Sequence, residues 1–186
     1  MGLDMYLNKK TYVQNWSHHK KSDNHNVTVK RGGKLREDIK PDRVTYVTEQ
    51  VSYWRKFNAL HGWFVNELND GFDNCAPIHV SKENFIELLE LLKGVQNVIN
   101  NSKKKTKILK DWNGEEYEHN VYLCEEEVKE VLPPTQGFFF GGYEVDDYYK
   151  QEVDRTIMVI EETLKEIEEA EKLGIYSSDY YYEASW

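Results

Sequence analysis

Cysteine is scarce in this chain: Cys75 and Cys124, 49 residues apart, are the two present in 186 residues. Without paired spacing they form no disulfide framework and no Cys-x-x-Cys redox or metal motif, so they read as buried or half-buried thiols. Long apolar runs are also missing. No stretch approaches the roughly 18 to 20 residues of a membrane span. Met1–Leu7 is followed by Asn8-Lys9-Lys10 and not by the apolar stretch of a signal peptide, so no membrane partner is expected.

Recognisable catalytic motifs are absent too. The chain has neither Gly-x-x-x-x-Gly-Lys-Ser/Thr nor Gly-x-Gly-x-x-Gly between strand and helix. Ser17, Ser52, Ser81 and Ser185 lie in no nucleophile elbow. Cys75 and His79 are four residues apart, but Pro77 breaks any helix that would bring them together. The histidines His18, His19, His25, His61, His79 and His119 contain no His-Glu-x-x-His, and Asp70–Cys75 lacks the ligand spacing of an EF-hand. No metal, no cofactor and no catalytic residue is expected, and the chain reads as a binder more than an enzyme.

What is present is charge and aromatic surface. The net charge is −9, unevenly spread. Residues 1–50 hold ten Lys/Arg against six Asp/Glu, a balance of +4, which leaves −13 on the other 136. An acidic protein repels a phosphate backbone, so long nucleic acid is disfavoured as a partner. The basic N-terminal third is still suited to a small anion. Thirteen tyrosines and five tryptophans offer flat apolar faces with polar handles, useful in a ligand pocket or an aromatic-rich core.

The period of the apolar residues organises the chain as one domain, 1–186. Leu3–Val13 alternates as a strand. Gly32-Gly33 between Val27–Lys30 and Lys34–Arg36 signals a hairpin. From 50 to 68 the pattern reads as helical, with Tyr53, Phe57, Leu60, Phe64 and Leu68 on one stripe and Trp54, Asn58, His61 and Val65 on the next. A helix over 81–100 is capped by Ser81, with Val80 and Phe85 stapled across the cap. Asn113-Gly114 predicts a type I′ turn in a projecting hairpin near 106–122. A short helix spans 125–131, and a long one spans 145–173 with an acidic outer face and Gly174 past its end. The expected fold is α+β, a small antiparallel sheet from the N-terminal third packed on about three main helices, 50–68, 81–100 and 145–173. Gly137–Gly142 reads as a buried strand and tight turn.

One constellation stands out as a candidate site. Trp54, Arg55, Asn58 and His61 put a stacking plane, a cation, an amide and an imidazole together. Thr135, Gln136 and Tyr143 form a second group of scarce polar types. The two segments are expected to meet, with Trp186 closing the pocket. There Arg55 would pair a phosphate or carboxylate, Trp54 would stack, and Asn58 with His61 would read hydrogen-bonding edges. The alternative is a core helix in which Trp54 and His61 satisfy buried hydrogen bonds and Arg55 pairs Asp4 or Asp147.

Several motifs occur together: Met1-Gly2-Leu3-Asp4-Met5-Tyr6-Leu7, Tyr53-Trp54-Arg55-Lys56 followed by His61-Gly62-Trp63-Phe64, Asp73-Asn74-Cys75, Leu132-Pro133-Pro134-Thr135-Gln136-Gly137-Phe138-Phe139-Phe140-Gly141-Gly142, and the terminal Tyr180–Trp186. In this combination the chain resembles a family of small phage and prophage proteins. The resemblance implies a phage-encoded protein acting in the cytoplasm of a host bacterium, against a defence or metabolic factor, and it carries no catalytic residues with it. Two functions are expected. The first is non-catalytic binding of a small nucleotide-like or anionic ligand, sequestering a host antiviral signal. The second is protein–protein inhibition of a host factor through the acidic helix or the aromatic tail. Homo-oligomers are compatible with either.

Overall fold

The computed structural model describes residues 2–137 and 140–186, with Asp23 described by its backbone alone. The elements run β1 (Asp4–Tyr12), β2 (Lys30–Arg31), β3 (Lys34–Leu35), β4 (Tyr46–Arg55), α1 (Asn58–Leu68), β5 (Ile78–Val80), α2 (Lys82–Asn101), β6 (Lys104–Lys110), β7 (Glu116–Tyr122), α3 (Glu125–Val131), α4 (Asp147–Lys172) and β8 (Ser178–Ser185), with 3-10 turns at Lys21–Asp23 and Pro41–Arg43. The fold is α+β. An antiparallel four-stranded sheet, ordered β4-β1-β8-β5, packs one face on the helices. No described helix is long and apolar enough to cross a membrane.

Two expectations need correction. The sheet does not come from the N-terminal third alone, because the tyrosine-rich C-terminal segment is a central strand between β1 and β5. Alternation explains this: Tyr180, Tyr182 and Ala184 point into the core, while Tyr181 and Glu183 stay on the outer face. The helix expected at 50–68 begins only at Asn58, and Tyr46–Arg55 is a strand paired with β1 along its length. Here β-branched and aromatic residues with period two, Ser52 and Trp54 inward, outweigh the helical spacing. The junction is Lys56, whose φ of 63° turns the chain out of the sheet while its N–H donates to the Leu3 carbonyl at 2.8 Å.

The other helices follow their sequence signals. Ser81 caps α2 in a capping box with Asn84, and Val80 and Phe85 on either side of it are both buried. Asp146 caps α4 by accepting from the Tyr149 N–H at 2.8 Å, and Gly174 (φ 71°) lies just past its end. The β6–β7 hairpin is present, but of its turn residues Gly114 alone has positive φ. Asp111 Oδ1 accepts from the N–H groups of Asn113 and Glu115, so the turn is not type I′. The tip projects, with Trp112 exposed, while the base docks on the start of α4. There Lys104, Asn120 and Tyr122 all hydrogen-bond Asp147, and Lys107 and His119 bond Glu144.

One buried cluster runs through the sheet and helices. It includes Leu3, Met5, Leu7, Trp54, Leu60, Phe64, Phe85, Leu88, Leu92, Val153, Ile160 and Tyr182. Residues 14–45 stay outside it: no described side chain between Val13 and Ser52 is buried.

Candidate functional site

The helix and the loop expected to meet do so. Asn58, in the first turn of α1, donates its amide to the carbonyls of Phe140 (3.3 Å) and Gly142 (2.9 Å). One turn on, Gly62 lets Thr135 sit directly against the helix. A Cβ at Gly62 would lie 1.9 Å from Thr135 Oγ1. Gly141, with φ 108°, brings its backbone against Lys56, where a Cβ would lie 2.9 Å from the Lys56 carbonyl oxygen. Of the Gly137–Gly142 run expected as a strand, Phe138 and Phe139 lie outside the described residues. The flanking residues are not strand: Phe140 is buried and Gly141 turns the chain.

His61 is the centre of this contact. Its ring is buried between Tyr182, whose hydroxyl is 2.7 Å from Nδ1, and Asp73, whose Oδ2 is 3.0 Å from Nε2. A carboxylate only accepts, so Nε2 carries the proton toward Asp73; in the neutral ring Nδ1 then accepts from Tyr182. Burial, and after it Asp73 and Cys75, push the Tyr182 hydroxyl well above the ordinary tyrosine range, which keeps it a donor. Phe140 packs edge-on to His61 at 5.2 Å, and Trp186 covers it at 5.9 Å.

The remaining expected residues divide. Trp54 faces α4, its Nε1 donating to Thr156 Oγ1 at 3.0 Å, and its ring is as deeply buried as His61. It sits on a strand, not on a helical stripe shared with Asn58 and His61. Arg55 is exposed on the outer sheet face, 3.8 Å from Asp4, and its carbonyl accepts from the Tyr148 hydroxyl. Gln136 is exposed. The Tyr143 hydroxyl donates to the Gly137 carbonyl at 3.3 Å. Asn58, His61 and Trp186 therefore gather around Phe140, with Thr135 against Gly62 one turn along α1, while Trp54, Arg55 and Gln136 do not join them. Asn58 is spent on the Phe140 and Gly142 carbonyls and His61 on Tyr182 and Asp73, and the hollow beside His61 and Asp73 measures about 10 Å³, room for a water and no more. Cys124 is a buried thiol as expected, but Cys75, beside the hollow, is exposed because it sits in the loop before β5; desolvation and then Asp73 push its thiol up. Among the described residues no three His, Cys, Asp or Glu side chains gather as a metal site.

A roomier cavity lies in the 14–45 excursion, which the spacing of motifs does not single out. Val27, Val29, Leu35, Ile39, Pro41 and Val44 wall a space of about 410 Å³, with Arg36, Glu37 and Lys40 in its lining. A second hollow of about 280 Å³ adjoins it through Asn26, Val27, Pro41 and Val44. Hydrogen bonds hold the walls apart. Asn15 pairs with the His25 backbone in both directions at 2.8 Å, and the Arg36 N–H donates to the Val29 carbonyl at 3.0 Å. Asp38 ties Arg36 with two carboxylate contacts, and Lys40 Nζ donates to the Glu37 carbonyl at 2.7 Å. Residues 14–45 carry eight Lys/Arg against four Asp/Glu, a net +4 on a chain of −9.

No family model, no curated protein and no solved structure matches this chain.

Proposed function

We propose that this chain is a non-catalytic binding protein that captures a small anionic ligand with an apolar portion in the cavity of residues 26–44. The observation that carries the reading is the 410 Å³ space with aliphatic walls and Arg36 and Lys40 in its lining. Its volume falls in the range of small-molecule sites. Aliphatic walls that touch nothing forfeit dispersion contacts and leave apolar area wet, so an apolar group entering the space restores both. The cationic excursion favours an anionic end on that group. Among the described residues the cavity has no aromatic lining, so an alkyl or acyl anion fits it better than a nucleobase. The constellation around His61 supports a different role, a polar lock between α1, the 135–143 loop and β8. The resemblance to phage proteins supports capture inside a bacterial host, where a sequestered signal or metabolite is the target.

The test is a thermal-shift and calorimetric titration with nucleotides, cyclic nucleotides, alkyl phosphates and alkyl carboxylates. A ligand at 100 times its Kd stabilises by about 2.7 kcal/mol. Val29→Trp fills the cavity in a segment that buries no described side chain, so it should abolish binding and leave the melting temperature close to wild type. A panel in which no anion binds, or binding that survives Val29→Trp, refutes the proposal.

A further inference from the structure

The alternation that packs the sheet stops at Leu7. Leu3, Met5 and Leu7 are buried on the inner face, and the next inward positions are Lys9 and Thr11, paired with Glu49, Tyr180 and Ser178. At this end the inward positions of β1 are polar, and Tyr180 on β8 carries the apolar face. A groove opens there. Val51, Val159 and Thr163 line its narrow end, of about 240 Å³. Ile167, Ala170 and Tyr180 floor the wide part, of about 680 Å³, which ends at Leu173, Ile175 and Tyr176.

Three observations make it a docking surface. Leu173, Ile175 and Tyr176 are 75%, 50% and 78% exposed, an apolar step at the groove mouth. The rim is acidic: Glu49, Glu162, Glu166 and Glu169 line it against Lys9, which Glu166 already holds at 3.3 Å. Tyr180 is 6% exposed, yet it lines the groove and its hydroxyl meets no hydrogen-bond partner among the described residues. Burial first, and after it Glu166 and Glu49, push that hydroxyl up to about 12.

We infer that this groove docks a basic amphipathic helical segment of a partner protein, apolar side inward on Ile167, Ala170 and Leu173, and lysines or arginines on the glutamate rim. The groove is lined along α4 from Val159 to Leu173, so it runs beside a helix, as helix-in-groove recognition requires. The excess of carboxylates selects a cationic occupant over a neutral or acidic one, and the Tyr180 hydroxyl is left to bond a polar group of the guest. This surface lies apart from the 26–44 cavity and stands or falls independently of it.

The probe is a fluorescein-labelled eighteen-residue peptide of leucine and lysine with leucines at helical i, i+3, i+4 spacing, compared with a scrambled peptide and with a leucine–glutamate version. Fluorescence anisotropy should show saturable binding of the patterned basic peptide, weakened by added salt, and none of the acidic one. Glu166→Lys and Leu173→Asp alter exposed side chains, and each should weaken binding at least tenfold with an unchanged circular-dichroism melt. Glu126→Lys, the same charge reversal on exposed α3, should leave it within twofold. Equal loss in Glu126→Lys, or equal affinity for the scrambled peptide, would mean bulk acidity and overturn the inference. So would a self-associating chain that Glu166→Lys makes monomeric, since the groove would then belong to a second copy.

Discussion

Gly62 offers a direct test of how α1 and the 135–143 loop are joined. It lies in the middle of α1, where alanine is worth about 1 kcal/mol over glycine in helix propensity. A surface helix would therefore gain from Gly62→Ala. Here the new Cβ lands 1.9 Å from Thr135 Oγ1, far inside contact distance, and overpacking of this kind costs about 1 to 3 kcal/mol. The single variant should fall between neutral and about 2 kcal/mol destabilised. Removing the hydroxyl and methyl with Thr135→Ala leaves the Thr135 Cβ, 3.2 Å away, as the nearest atom. In that background Gly62→Ala should be neutral or stabilising by up to about 1 kcal/mol. The interaction energy from the double-mutant cycle is thus about 1 to 3 kcal/mol. Urea unfolding followed by tryptophan fluorescence and far-UV circular dichroism measures all four corners. An interaction energy under about 0.5 kcal/mol, with Gly62→Ala stabilising in both backgrounds, would mean that the loop does not rest on the helix and that the reasoning is wrong.

Two further perturbations bear on the polar contacts. Tyr182→Phe deletes the donor to His61 Nδ1 and leaves a buried acceptor unmet, so it should cost about 1 to 3 kcal/mol, and a melt within 0.5 kcal/mol of wild type would refute the lock. Asp147 is held down to about 2, chiefly by Lys104 and then by Asn120 and Tyr122, against an ordinary aspartate value of 3.8. Its folded-state pKa is depressed, so its contribution is fully present above pH 4 and is lost as the pH falls toward 2. Amide exchange in β6 and β7 should accelerate across that window in wild type, and Asp147→Asn should flatten the change; identical pH profiles would remove Asp147 as the hairpin's anchor.

Much of the architecture was legible because its signals are local. Ser81, with Val80 and Phe85 across it, marks the start of α2, and Gly174 marks the end of α4, each within a few residues of the boundary. The start of α1 was not legible. Tyr53, Phe57, Leu60 and Phe64 keep helical spacing across a strand, a left-handed Lys56 and a helix, and periodicity alone does not see the break. The meeting of Asn58, His61, Thr135 and Trp186 followed from scarce residue types, but the partners that occupy His61 did not. Tyr182 is 121 residues away and Asp73 sits in a loop, so no spacing rule connects them to it. The 26–44 cavity escaped for another reason: its aliphatics enclose space instead of packing, and so follow no amphipathic period.

The position of β8 governs how the chain assembles during synthesis. β1 is made before the other strands of the sheet, and β4 covers one of its edges early. Its other edge must wait for residues 178–185, which pair Thr11 with Ser178 and Asp4 with Ser185. At ordinary elongation speeds that interval is roughly ten to thirty seconds. Through it Met5 and Leu7 lack the cover of Tyr182 and Ala184, and an open strand edge is available to any neighbouring chain. The same arrangement makes the sheet a checkpoint on translation: a chain that stops before residue 178 has no strand to join β1 to β5.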